Sequence, residues 1–483
     1  MSADAAPSVG ARALRGMAWA YGSYVGGRLL LLASTAVLAR VLTVKDFGLV
    51  ALALTFMTFL DTVRDLGLGQ ALIVGRAEEL QARAQTVFSW TILIGFGLSA
   101  VTAAAAPLVS AFFHEGSRFT WLLAALGCNF LLRSLGATHY ALARKELDYR
   151  TRTFAELSDV LTRGGVAIVL ALLGFGAWSL VIGYLAGTSA LGLTVWRLVP
   201  FRPRLRFSRA HLGELISFGG MLTAVDVGAA IAHQMDYVFV GRVLGATSLG
   251  FYTIGFRLPE LLIVNLAIVA GEVLFPAYAL IDRERLRDAF VLALRSTALV
   301  VLPMAVGLGL LARPVTLALF GPHWEPSIEV MQVLVVYAVV VTLSIPSGTV
   351  FKVTGQAWIL VALTIPYVAV LLTTLLIFAD EGIVAVATCM AATQAGFLWI
   401  TWTIAARRLE VPLRRSLGGL AAPALAALGM GVVIYPIEHA IERPWPALIA
   451  GGLAGAATYG ALVWLLARDV VVRVREAAFA GRR

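Results

Sequence analysis

Six ionisable side chains lie deep inside long apolar runs of this 483-residue sequence: Arg28, Arg133, Arg163, Asp226, Arg257 and Glu260. A charge in hydrocarbon is costly and persists where it faces a cavity, a partner or water, so each is a candidate for binding or transport. Guanidinium groups hold phosphate and diphosphate through paired, charge-assisted hydrogen bonds, which makes Arg28, Arg133, Arg163 and Arg257 candidates for an anionic head group. Carboxylates near mid-membrane suit a coupling cation, which singles out Asp226 and Glu260. Glu260 follows Pro259, whose ring frees a helical carbonyl. The deepest charges of the first half are therefore basic and the deepest acids lie in the second, with Arg257 the exception.

Plainer readings stand beside these. Arg28 also fits a buried ion pair between helices, and Gly22, Gly26 and Gly27 before it suit close helix approach or a bend. Asp159 is the i,i+4 partner of Arg163. Asp61, Arg64 and Asp65 read as a solvated interfacial network. No phosphate loop, dinucleotide fingerprint, zinc spacing or nucleophile elbow occurs. Catalytic residues, metal ligands and a cofactor are therefore not expected, and the chain does not read as an enzyme. Cys128 and Cys389 both lie in apolar runs and imply no disulfide framework.

The elements that must position these groups follow from composition. Sixty per cent of the residues are hydrophobic and 14% charged, with a mean hydropathy of +0.87. Soluble domains carry about 25% charge, and no soluble fold of this size could bury so much apolar surface. Runs of about 20 apolar residues each span the ~30 Å hydrocarbon core. They fall near 18–39, 47–66, 86–108, 118–142, 154–174, 176–196, 215–239, 249–271, 289–312, 328–350, 359–379, 382–405, 417–437 and 445–467. The expectation is an all-α, polytopic membrane protein of about fourteen transmembrane helices. The net charge of +10 fits membrane topology better than nucleic acid, because the cations sit in short loops. With both termini cytoplasmic, the outer loops hold only Arg40, Lys45, Arg118, Arg242, Arg313 and Arg443, while clusters such as RKELDYRTR at 144–152 lie inside. The longest outer loop, Arg313–Ser327, is too short for a soluble domain.

An internal repeat organises the chain. RVLTVKDFG at 40–48 and RVLGATSLG at 242–250 align at an offset of 202, as do Leu60 with Leu262, Gly69 with Gly271 and Leu72 with Leu274. An even number of helices per half makes this a parallel repeat. The expected organisation is a cytoplasmic tail at 1–13, a six-helix lobe at 14–198 and a basic linker at 199–211. A second six-helix lobe follows at 212–405, then an extra helix pair at 406–467 and a basic cytoplasmic tail at 468–483.

Several colinear stretches carry a family resemblance. They are VLARVLTVKDFGLVALALTFMTFLDTVRDLGLGQALI at 37–73, RKELDYRTRTFAELSDVLTRGGVAIVLALLGFGAWSLVIGYLAG at 144–187, LGATSLGFYTIGFRLPE from 244, and LFGPHWEPSIEVMQVL at 319–334. Over residues ~14–400 the chain resembles the polysaccharide transporter family, whose members are colanic-acid-exporter-like and O-antigen-flippase-like. That family belongs to the multidrug/oligosaccharidyl-lipid/polysaccharide superfamily. The resemblance implies two lobes around a central cavity, alternating access, and a polyprenyl-diphosphate-linked oligosaccharide carried from inner to outer leaflet. It implies an inner-membrane location, glycosyltransferases and a polysaccharide polymerase as partners, and cavity arginines, for which Arg28 and Arg257 are positional matches. A cation-coupled multidrug antiporter and a membrane-embedded polymerase or ligase are the competing readings. Twelve helices would be usual for the first, and a large outer loop for the second.

Overall fold

The computed structural model describes residues 26–65, 72, 80–146, 148–205 and 234–466. Among them every regular element is helical, as lipid requires, because each helix satisfies its own backbone hydrogen bonds. Helix α1 covers 26–41. It is followed by α2 (Val44–Asp65), α3 (Leu80–Phe112), α4 (Ser117–Lys145), α5 (Tyr149–Leu172) and α6 (Ala177–Leu198). Helix α7 is described over 234–244 and α8 over 245–279. Then come α9 (Arg283–Leu310), the short α10 (Ala312–Leu319), α11 (Ser327–Val353), α12 (Trp358–Phe378), α13 (Ile383–Arg408), α14 (Leu413–Ala440) and α15 (Pro444–Leu466). Asp226, the tails at 1–13 and 468–483, Gly22 and Gly69 lie outside the described residues.

Among the described residues, ten helices are long and apolar enough to cross a membrane, counting the run Gln234–Val264 once. That run is not one rod. Gly245, at φ +83° and ψ 173°, turns the chain between α7 and α8. Helix α5 is 24 residues long, but Glu156, Asp159 and Arg163 interrupt every membrane-length stretch of it. The chain is a multi-pass membrane protein.

Helix ends outrun the apolar windows, as in α3, which begins at Leu80 rather than near 86, because polar terminal turns continue into the headgroup region. The tight connection between α5 and α6 is real: Gly174 and Gly176 have φ of +85° and +57°, which a side chain would strain. The segment Arg313–Ser327, read from the sequence as a loop, is largely helical. It holds α10 and a short 3-10 turn that buries Trp324 completely, and the Phe251 ring meets Trp324 edge-on at 6.0 Å.

The chain divides into two compact units, Met1–Gly250 and Phe251–Arg483. In the first, α5 pairs with α6 and α3 with α4, and α4 also packs on α6. In the second, α11 lies against α13, α9 and α8, while α14 and α15 pair and dock on α9. Tyr278, Phe290, Leu294, Phe351 and Trp402 form the main core there. The C-terminal pair is fixed by Ile434 and Met430 against Leu311 and by the Tyr459 hydroxyl, which donates to the Leu299 carbonyl at 2.6 Å.

Candidate functional site

One end of the first unit is tied together by a single carboxylate. Thr43 precedes α2, and its hydroxyl and N–H donate to Asp46 Oδ2 at 2.7 and 3.2 Å, while the Asp46 N–H donates back to the Thr43 hydroxyl at 3.2 Å. This is a capping box with aspartate in the fourth place. The other oxygen, Oδ1, accepts from Arg118 Nη2 at 2.8 Å and from the Ala177 N–H at 3.1 Å. Asp46 is only 4% exposed. It therefore joins the starts of α2, α4 and α6. A Cβ on Gly176 would lie 2.7 Å from the Arg118 guanidinium, so glycine there also leaves room for this pair. Lys45 and Glu115 add a looser pair at 3.7 Å.

The two copies of the sequence repeat meet at this same end. A Cβ on Gly48 would sit 1.6 Å from the Ala246 carbonyl oxygen, and one on Gly250 would sit 2.2 Å from the Val44 carbonyl oxygen. Under the offset of 202, Gly48 corresponds to Gly250 and Val44 to Ala246, so the contact is reciprocal. Backbone touches backbone, and only glycine permits it. Beneath the crossing, Leu52 is fully buried, and Gly241 of α7 offers no room for a Cβ beside it.

Below this crossing lies an apolar cavity of about 380 Å³ between α2, α3 and α7, lined by Phe56, Phe59, Leu108, Val109, Phe112 and Val238 among others. At its mouth the Arg242 guanidinium stands 5.3 Å over the Phe112 ring. Its Nη1 lies 2.7 Å from His114 Nδ1, which accepts. Arg242 belongs to a π-helical turn, Val240–Leu244, that closes α7.

The arginines expected to bind anions are each placed beside a partner. Arg28 is half-buried in α1, while a Cβ on Gly26 or Gly27 would meet no atom of the described residues within 4 Å. Arg133 of α4 reaches Asp61 of α2 at 2.5 Å, and Asp61 also meets Arg64 at 2.9 Å. The interfacial network expected on α2 thus recruits a residue expected to act separately. Arg163 is held by Asp159 at 2.8 Å through both carboxylate oxygens and lies 4.2 Å over the Tyr184 ring. Helix α6 builds that arrangement. Gly183 and Gly187, spaced as in close-packing membrane helices, bring it against the backbones of Arg163 and Asp159, where a Cβ would stand 2.8 Å from each carbonyl oxygen. Arg257 and Glu260 lie 3.7 Å apart on α8. Glu260 opens a second π turn, Glu260–Val264, whose loosened carbonyls of Glu260 and Leu261 accept from the Asn265 side chain at 3.0 and 3.4 Å.

The opposite end of the first unit carries the basic motif at 144–152. Asp148 caps α5, accepting from the Thr151 N–H at 3.0 Å. Burial would push the Asp148 carboxyl up. The hydroxyl and N–H of Thr151 and the N–H and charge of Arg150 outweigh it and hold the group below its ordinary value. His139 stacks on Trp196, with ring centres 4.7 Å apart, and contacts the Phe201 carbonyl at 3.1 Å.

Sequence reading missed Asp46, the Gly48–Gly250 crossing and the Gly183–Gly187 contact. Signals existed for all three: a T-x-x-D helix start, the glycine conserved between the two repeat copies, and a G-x-x-x-G spacing.

Comparison with known proteins agrees with this architecture. Residues 37–329 match the family described as "Polysaccharide biosynthesis protein". The succinoglycan biosynthesis transport protein ExoT of Rhizobium meliloti (strain 1021) is 27% identical, over 99% of this chain and 98% of its own length. The lipopolysaccharide biosynthesis protein WzxC of Escherichia coli (strain K12) is 27% identical over 65% of this chain and 64% of its own. Among solved structures, the lipid II flippase MurJ in an inward closed conformation superposes with a TM-score of 0.78 at 15% identity, covering 94% of this chain and 99% of that one. An inward-facing multidrug transporter of the MATE family gives 0.65 at 17%, over 79% and 94%. These two share the fold.

Proposed function

This chain belongs to the polysaccharide biosynthesis protein family, and from that premise we propose that it is a flippase for lipid-linked polysaccharide units. The observation that carries the reading is the end-to-end similarity to a succinoglycan transport protein. The cargo is a polyprenyl-diphosphate-linked oligosaccharide, moved from the inner to the outer leaflet of the cytoplasmic membrane by alternating access. Glycosyltransferases supply it inside and a polymerase consumes it outside. The chain spans the membrane about fourteen times, with both termini cytoplasmic and two lobes related by the repeat. The reciprocal contact of Gly48 and Gly250 supports that relation.

In this reading the end carrying Asp46, the glycine crossing and Arg242 is the outer face, closed while the cargo site is open to the cytoplasm. Arg28, Arg133, Arg163 and Arg257 receive the diphosphate, with Asp61, Asp159 and Glu260 pairing with Arg133, Arg163 and Arg257 until cargo arrives. Asp226 and Glu260 couple transport to a cation.

The test is deletion of the gene in its host, with carrier-linked glycan quantified on each face of the membrane. Inner-leaflet accumulation with loss of surface polysaccharide, rescued by the wild-type gene, is the expected result. Normal appearance of glycan on the outer face without any other transporter overturns the proposal. Failure of Arg28→Ala to rescue, at normal protein level, assigns Arg28 to cargo binding.

A further inference from the structure

We infer that the cavity between α2, α3 and α7 is a lipid site that holds one acyl chain of an anionic phospholipid, whose phosphate pairs with Arg242. The inference does not depend on what the protein transports. Its tail half rests on shape. Thr55, Phe56 and Phe59 line the cavity on α2, 11 to 15 residues beyond its start at Val44, a depth of about 16 to 22 Å at the helical rise. Leu108 and Phe112 line it in the last turn or two of α3. The cavity thus runs from the end of α3 to a level about 16 to 22 Å along α2, at or a little past the middle of a ~30 Å core. Leu108 and Phe112, at 75% and 51% exposed, open it to the side, toward surrounding lipid.

Its volume of about 380 Å³ is some two to three times that of the 150 Å³ cavity that accommodates a benzene. That suits a single hydrocarbon chain. A long polyprenyl chain would leave most of its length outside.

The head-group half rests on charge. Lys45 has Glu115 and Arg118 has Asp46. Among the described residues, Arg242 has only the His114 ring nitrogen and the face of Phe112, neither of which cancels its charge. Phe112 also lines the cavity, so the uncompensated cation stands at the mouth of the apolar chamber. An anion bound there carries a hydrocarbon chain into the space below. Arg242 lies in a π turn, an irregularity that helices often place at functional sites.

Two measurements test this. The unaltered protein is reconstituted in nanodiscs containing phosphatidylglycerol or phosphatidylcholine with a photoreactive acyl chain. Crosslinks from phosphatidylglycerol should concentrate on peptides carrying Phe56–Phe59 and Leu108–Phe112, above those from phosphatidylcholine. Even labelling of all lipid-facing helices overturns the site. Native mass spectrometry then compares retained lipid in wild type, Arg242→Gln and the cavity-filling Val109→Trp. One guanidinium near the membrane surface contributes about 1 kcal/mol, or about fivefold. Arg242→Gln should lose that preference for phosphatidylglycerol over phosphatidylcholine, and Val109→Trp should lose the retained lipid itself. An unchanged preference in Arg242→Gln, or a co-purifying prenyl phosphate in place of phospholipid, overturns the proposal.

Discussion

In the proposed transport cycle, with the end carrying Gly48 as the closed outer face, replacing Gly48 by alanine should loosen that face without touching cargo chemistry. The added Cβ would lie 1.6 Å from the Ala246 carbonyl oxygen, 2.5 Å from its carbon and 3.1 Å from the Gly250 nitrogen. The first of these is ~2 Å short of an ordinary contact. Every atom it meets is backbone, so no rotamer change relieves the overlap, and the start of α2 must move away from the start of α8. Overpacking of this kind costs about 1–3 kcal/mol. Imposed on the closed state alone, it changes the closed-to-open ratio by about 5- to 150-fold.

The assay is a reporter cysteine at Leu52, which is fully buried under the crossing, in a background lacking Cys128 and Cys389. A membrane-impermeant maleimide applied from outside should label it faster by that factor in Gly48→Ala, and the rate of glycan export should fall. Gly250→Ala, whose Cβ would meet the Val44 carbonyl oxygen at 2.2 Å, should act in the same direction. The double variant should be less than additive, because both substitutions open one contact. Gly97→Ala, which faces open space, should leave labelling unchanged. Wild-type labelling and export in a stably folded Gly48→Ala protein would refute the argument.

Three further outcomes are expected. Asp46→Ala strips the capping box, the Arg118 pair and the Ala177 N–H of their acceptor, and the buried Ala177 N–H left unpaired by itself costs about 1–3 kcal/mol. The melting temperature followed by tryptophan fluorescence should drop more than for Thr43→Ala, which loses only the cap. Asp148→Ala should cost about 0.5–2 kcal/mol at neutral pH. Because the Asp148 carboxyl is held low in the folded chain, its contribution is full above the unfolded value near 3.9 and disappears as pH falls through the folded value; wild-type and variant melting curves should converge in acid. Arg163→Met should destabilise by stranding Asp159, and adding Asp159→Leu should restore thermal stability. Export should stay lost in the double variant if Arg163 also receives cargo, and its return would reduce the pair to packing.

Much of the architecture was legible in the sequence because lipid is the solvent. A helix that must hide its backbone in hydrocarbon declares itself by length and hydropathy, and the ends of α4, α6, α12 and α15 fall within a few residues of the apolar runs that announced them. The candidate site was legible only as a set of residue types. Arg133, Arg163 and Arg257 stood out because charge is rare in such runs, yet their partners came from different rules. Asp159 and Glu260 are neighbours along one helix and follow from spacing, whereas Asp61 reaches Arg133 from 72 positions away. The segment at Arg313–Ser327 looked like a loop because α10 is too short and too mixed to register as a span, and burial of Trp324 organises it instead.

The sequence by itself determined the class of the protein, its all-helical multi-pass character and the recurrence of an R-V-L-x5-G motif at 40–48 and 242–250, since each is written in local composition or in self-similarity. The tertiary structure alone decided that the two copies of that motif meet at one end of the first unit. Gly48 and Ala246 are 198 positions apart, and no pattern along the chain states that their backbones touch. It also decided that Asp46 serves three helices at once and that Arg242 stands over an apolar chamber. Such arrangements depend on which helix faces which, and that is settled by packing between segments distant in sequence.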